Sequence, residues 1–216
     1  MIENLYKLDV GLNCYSQNGE ELYLREIFKH IGTTNKYFVD LGSNDGIWYS
    51  NTKLLSTLGW DGLLVDGKTF PGVYKAFITL DNINHILSVN KVPVELDLLS
   101  IDLDGNDYWI LDKILENYRP RVIVSEYNSE HTDCKTISYD PEFVFYPDDY
   151  YGYTLLAGEK LAKKHGYTII FSNSRLNLYY LRNDISPGYV PKVKNEYHRH
   201  WGPNDKSPIN KKWHEL

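Results

Sequence analysis

YFVDLGSNDG, residues 37–46, is the stretch that decides the fold. Tyr37 to Leu41 is a short apolar run ending in a glycine-rich turn, and it predicts a buried strand. Upstream, Gly19 to Ile31 places Leu22, Leu24, Ile27, Phe28 and Ile31 at helical spacing, with acids in the first turn and Gly32 as a stop. Downstream the chain reads as a helix over 50–58 capped by Ser50 or Asn51, a strand over 62–65, a helix over 79–87 and a strand over 98–103. A helix over 108–117 and a strand over 121–127 follow, then a long loop from 128 to 149. A helix over 155–165 stops at Gly166, and strands over 167–171 and 178–181 predict an antiparallel hairpin. This alternation predicts an α/β fold, a mostly parallel sheet covered by helices.

In such sheets ligands bind at the carboxyl ends of the strands, near the switch in strand order. Gly42 and Gly46 would let backbone pass close to a ligand with no Cβ in the way. Their spacing is not the G-x-G-x-x-G of dinucleotide folds, and no Lys-Ser/Thr pair follows as in a phosphate-binding loop. An ordinary tight turn accounts for the glycines alone; the acids on either side ask for more. Asp40 would repel a pyrophosphate and suits an ammonium group. Asp66 closes the second strand 20 residues after Gly46, where an acid commonly accepts hydrogen bonds from both ribose hydroxyls. A nucleoside with a positively charged amino-acid arm and no phosphate is S-adenosylmethionine.

A second acidic group lies in SIDLDGND, residues 100–107. Alternation along a strand puts Asp102 and Asp104 on one side, advancing to the same edge, and Glu126 and Asn128 end the neighbouring apolar strand. Carboxylates converging on one edge share a proton or bind a cation, and Mg²⁺ or Mn²⁺ would lower the pKa of a coordinated hydroxyl. The bland reading has Asp102 and Asp104 bonding backbone and cofactor with no ion. Methyl transfer needs an acceptor oxygen aligned with the methyl carbon and relieved of its proton, for which Asp107 or His131 is a candidate base. His85 falls on a helix and reads as structural.

Together, YSQNGEE, FVDLGSNDGIWYSNTKLL, GWDGLLVDG, DLLSIDLDGNDYWIL, YRPRVIVSEYN, YYGYTLLAGEKLAKKHGY and NLYYLRND resemble the FkbM-like S-adenosylmethionine-dependent methyltransferases, from about Tyr15 to Asp184. The resemblance implies a class I methyltransferase fold, Rossmann-like with a seven-stranded sheet, and O-methylation of sugar hydroxyls in glycans or natural products. It implies that Asp40, Gly42, Ser43, Asp45 and Gly46 line the cofactor, with Asp102 beside them and Asp66 on the ribose. Gln17 and Asn51 would approach the methionine end. By analogy with sugar O-methyltransferases of related fold, Asp104, Glu126 and Asn128 are the metal candidates. The departure is that only ten residues, Gly67 to Ala76, stand where the family has a helix and a fuller third strand. That leaves the adenine side open or completed from elsewhere.

The remaining composition sets bounds. The chain has 216 residues, 42% hydrophobic and 24% charged, enough for one well-buried domain. No apolar run is long enough for a membrane span, and the first residues lack the basic-then-apolar pattern of a secretory leader. Cys14 and Cys134 make no disulfide or zinc framework, so a reducing, cytoplasmic setting is expected. Six Lys or Arg against three acids make residues 185–216 a basic, Pro-containing tail on a body, 1–184, that carries -9, which speaks against nucleic acid. Nineteen tyrosines and five tryptophans suit sugar faces as well as cores; the tyrosines of 128–153 suit a lid or acceptor site, though packing of that loop onto the domain accounts for most of them. The expected partner is a sugar or glycan acceptor such as a rhamnoside, with glycosyltransferases as fused or cooperating enzymes. Two other readings remain open: a glycosyltransferase using Asp102-Leu103-Asp104 as a D-x-D motif, and a non-catalytic binding module of the same fold.

Overall fold

The computed structural model describes residues 5, 7–8, 14–173, 176–185, 188, 193–198 and 211–216. Nine strands are described: β1 Tyr37–Leu41, β2 Asp61–Asp66, β3 Tyr74–Lys75, β4 Leu98–Ile101, β5 Val122–Glu126, β6 Lys135–Ile137, β7 Tyr167–Asn173, β8 Asn177–Arg182 and β9 Trp213–Glu215. The helices used below are α1 Glu20–Ile31, α2 Lys53–Thr57, α3 Ile83–Val89, α4 Asp107–Leu115 and α5 Leu155–His165. Seven strands form one sheet in the order β3-β2-β1-β4-β5-β8-β7. The pairs among β1 to β5 are parallel, and β8 is antiparallel to both β5 and β7. This is the Rossmann-like class of sheet expected from the sequence, closed by the hairpin.

Alternation in the central strands sends side chains to two cores. Val39, Leu41, Leu99, Ile101 and Ile123 pack with Ile83, Ile86, Ile110, Leu111, Leu155 and Leu161 of α3, α4 and α5. Phe38, Leu98, Val122, Val124 and Tyr179 pack with Leu24, Ile27 and Phe28 of α1 and Leu55 of α2. Helices therefore cover both faces, and the apolar runs of β4 and β5 are buried on both sides, as a central parallel strand requires.

Several boundaries differ from the sequence reading. Helix α2 starts only at Lys53, because the Ser50 hydroxyl accepts the N–H groups of Thr52 (3.3 Å) and Lys53 (3.0 Å) and organises a turn first. The predicted helix over 79–87 begins at Ile83, preceded by a turn in which the Asn82 side chain accepts the Thr79 N–H at 2.9 Å. Strand β4 stops at Ile101 rather than 103, and Asp104 is left-handed, with φ 57°. The expected loop over 128–149 contains β6, which pairs antiparallel with β9 of the basic tail. Strand β3 has only two residues, both exposed, matching the short Gly67–Ala76 link.

Candidate functional site

The chain runs outward on one side, β1 to β2 to β3, and then resumes on the other side of β1 with β4 and β5. Carboxyl ends that part in this way leave a crevice, and here a cavity of about 560 Å³ opens at that edge. Gly42 and Asn44 after β1, Asp66 after β2, and Asp102 and Asp104 after β4 all border it. Its volume is that of a ligand site.

The glycine turn is built for close backbone approach. Gly42 has φ 79°, and a Cβ there would lie 1.7 Å from the carbonyl oxygen of Asp102. Gly46 has φ 70°, with a Cβ position 2.6 Å from Leu64. The N–H groups of Gly42 and Ser43 both donate to Val65 O, at 2.9 and 3.1 Å, so the turn is strapped to β2. Asp66 holds it from the side: Oδ2 accepts the Asn44 N–H at 2.9 Å and Oδ1 the Lys68 N–H at 2.7 Å. Each carboxylate oxygen has a second lone pair, so the residue can still accept from a ligand. Asp45 is spent locally, its Oδ1 accepting Ile47 N–H (2.8 Å) and Trp48 N–H (2.9 Å).

Asp40 lies behind this turn, not in the cavity lining. It is 4% exposed, accepts the Thr52 hydroxyl at 2.7 Å, and sits beside Ser100, whose hydroxyl also accepts Asn51 Nδ2 at 3.1 Å. Burial pushes its carboxyl up to about 6 against the hydrogen bonds of Thr52 and Ser100. Ser43 is likewise buried. Gln17 lies exposed in the segment before α1. That segment is fixed by two glutamates the sequence reading took only as helix-start acids. Glu21 accepts the N–H groups of Cys14, Tyr15 and Ser16, while Glu20 accepts the side chains of Asn173 and Asn177.

The rim of carboxylates forms, though not by strand alternation. Asp102, Asp104 and Glu126 each offer an oxygen within 4.8 Å of the others. Asp104 reaches the group because its left-handed backbone turns it back, and Asp107 fixes that turn. Asp107 Oδ1 accepts the Leu103 N–H (2.8 Å) and Oδ2 the Gly105 N–H (2.9 Å). Wholly buried at the start of α4, it is pushed by burial to about 7 and stands outside the cavity lining. Burial, then the neighbouring Asp104 and Asp107 charges, raise Asp102; burial, then Asp102, raise Glu126. Burial also raises Asp104, which Lys68 tempers. Glu126 Oε2 is buried without a hydrogen-bond partner among the described residues.

Two candidates are not part of this group. Asn128 is fully buried and spends its side chain on backbone: Nδ2 donates to Asp149 O and Tyr151 O, and Oδ1 accepts the Glu130 N–H. The third acid grouped with Asp104 and Glu126 is Asp102. His131 Nε2 bonds Asp149 O at 3.2 Å and its ring meets Trp213 edge-on at 4.8 Å, in the layer built on β6 and β9. Burial and then Lys135 lower its pKa. Of the loop tyrosines, Tyr150, Tyr151 and Tyr153 are buried and Tyr146 is exposed. The sequence reading missed Phe77, Phe143 and Phe145, which line the cavity; the apolar run FVFY at 143–146 inside a polar loop was the available signal.

No protein-family model and no curated protein matches the chain. Among solved structures, an S-adenosylmethionine-dependent methyltransferase from Clostridium acetobutylicum superposes with a TM-score of 0.42 at 11% identity, over 77% of this chain and 92% of that one. A SAM-dependent methyltransferase from Aquifex aeolicus gives 0.36 at 14% identity, over 84% and 97%. Likenesses this distant carry no argument about activity, which rests on the site itself. Among the described residues no helix is long and apolar enough to cross a membrane.

Proposed function

We propose that the protein is an S-adenosylmethionine-dependent O-methyltransferase acting on a sugar hydroxyl of a glycan, such as that of a deoxyhexose. One observation carries this reading: a single cavity at the switch in strand order joins Gly42, Asp66 and the Asp102/Asp104 edge. The three features singled out from the sequence thus face one ligand-sized space.

Each residue then has a task. Asp66 accepts the ribose hydroxyls, already oriented by Asn44 and Lys68. Gly42 lets the backbone lie against the ligand. Asp40, Thr52, Ser100 and Asn51 support the turn from behind. When bound, the cofactor supplies an electrophilic sulfonium methyl. Burial and neighbouring carboxylates raise both Asp102 and Glu126, which makes either one, when ionised, a stronger base for the proton of an acceptor hydroxyl. A divalent cation fits the same three carboxylates, hard oxygen donors of which Glu126 Oε2 has no hydrogen-bond partner among the described residues, and would acidify that hydroxyl. The glycosyltransferase reading uses the same acids for a sugar-nucleotide diphosphate, but gives the glycine turn and Asp66 no task.

Calorimetric titration with S-adenosylhomocysteine tests the reading. Micromolar binding is expected, weakened about tenfold or more in Asp66→Asn, where one charged acceptor is lost. Labelled-methyl transfer to a panel of small glycosides, with and without chelator, reads the acceptor and the ion. Absence of binding at millimolar cofactor, or hydrolysis of UDP- or GDP-sugars instead, overturns the assignment.

A further inference from the structure

On the β3 side the sheet gives the cavity little wall. Beyond Asp66, where the base of a nucleoside held by its ribose must lie, β3 is two residues long and Gly67 to Val73 contains no helix. Phe77, just after β3, is 58% exposed at the cavity and would leave a base open to water on its other face.

A distant part of the chain fills the gap. The segment between β5 and α5 passes over the edge and presents Phe143 to the cavity. It is fastened on both sides. Asn106 Nδ2 donates to Asp140 O at 2.6 Å, and Asp140 N–H donates back to Asn106 Oδ1 at 3.2 Å. Across the cavity, the Leu80 N–H donates to the Tyr139 hydroxyl at 3.0 Å. The Phe143 ring lies on Gly105, where a Cβ would come within 2.3 Å of it. Gly105 is not in a left-handed conformation, so this close approach is its reason for having no side chain.

Three donors of the turn after β4 are already engaged. The N–H groups of Leu103 and Gly105 go to Asp107, and the Asn106 amide goes to Asp140. What the space offers beside them is the aromatic surface of Phe77 and Phe143. We propose that Phe143, delivered by the β5–α5 segment, and Phe77 form the nucleobase wall of the cavity and grip the base by its faces rather than its edge. This rests on the cofactor assignment above and specifies which residues select the nucleoside.

Calorimetry on the full chain tests it with S-adenosylhomocysteine and 5′-methylthioadenosine, which share the adenosine and differ in the amino-acid arm. Phe143→Ala is expected to weaken both ligands by the same factor, about tenfold, the usual effect of removing a ring stacked on a base. Gly105→Ala, which displaces the ring without removing it, weakens both as well, and thermal melting of each variant checks that it is folded. The inosine counterpart of S-adenosylhomocysteine is expected to bind within about threefold of the parent, because stacking tolerates a changed edge. Unchanged affinity in Phe143→Ala, a loss confined to S-adenosylhomocysteine, or strong rejection of the inosine ligand overturns the inference. If the wild-type chain binds neither adenosine ligand, the cofactor assignment fails first.

Discussion

Strand β4 is bracketed by two acids whose circumstances are opposite. Asp97, at its amino end, is wholly buried and surrounded by donors. Its carboxylate accepts the N–H groups of Thr34, Asn35 and Lys36, the Thr34 hydroxyl at 2.9 Å, and Arg121 Nη1 at 2.8 Å. Arg121 in turn donates to the carbonyls of Ile31 and Gly32, tying the end of α1 to β4 and β5. Burial alone would raise the Asp97 pKa, but Arg121 and these donors outweigh it and hold it below the usual range. Asp102, at the carboxyl end, faces Asp104 and Glu126 instead of a cation and is pushed up. A buried acid with a full set of donors is architecture; an acid at the cavity edge among its own kind is a candidate for binding or catalysis.

The first way to break the contrast is at the satisfied end. Arg121→Ala would leave Asp97 without its cation, and a loss of about 3–5 kcal/mol of stability is expected in urea unfolding. A loss below about 1 kcal/mol would mean that the backbone donors suffice. The turn at the other end is next. Gly42→Ala must place its Cβ against the Asp102 carbonyl from a left-handed conformation, and about 1–3 kcal/mol of destabilisation is expected, with loss of cofactor binding.

A pH series sharpens the comparison. Asp102 and Glu126 titrate above their unfolded values, and so do Asp40 and Asp107, so the folded chain holds protons that the unfolded chain has released. Their contribution is full below the unfolded pKa of about 4 and drains away as pH rises through the raised folded values. Asp97 has the opposite sign: its contribution is full above about pH 4 and is lost as pH falls through its lowered value. Acidification from pH 7.5 to about 5.5 is therefore expected to raise the melting temperature of the ligand-free protein. Glu126→Gln should flatten that rise; an equal slope in wild type and variant would remove the acidic group as its cause. The smallest effect is expected at Trp48, 70% exposed beside the turn, where Trp48→Ser should change unfolding free energy by no more than about 0.5 kcal/mol.

The fold was legible wherever local pattern and burial agree. Tyr37–Leu41 and Leu155–His165 have the predicted boundaries because an apolar period meets a clear stop, Gly42 or Gly166. The site was legible as a set of strand ends, less so as individual side chains. Asp45, Asp107 and Asn128 all looked available, yet short polar side chains readily bond nearby backbone and all three do so here, while His131 bonds the remote Asp149 carbonyl. Asp104 joined its group through a turn that alternation cannot describe. Strand β6 and the aromatic wall were missed because three residues carry no periodic signal and their partners are remote in sequence.

That remoteness has a temporal side. Lys135, Thr136 and Ile137 pair with Glu215, His214 and Trp213 on one side and bond Gly152, Tyr153 and Thr154 on the other, and Trp213 is also wedged against His131 and Tyr150. A ribosome delivers the seven-stranded sheet well before it delivers β9. Until then β6 has one edge unpaired, while the segment's bonds to Asn106 and Leu80 are already within reach. Closure of the β6–β9 pair would then trail formation of the sheet, as a late step that nascent chains stalled between β8 and β9 would never complete.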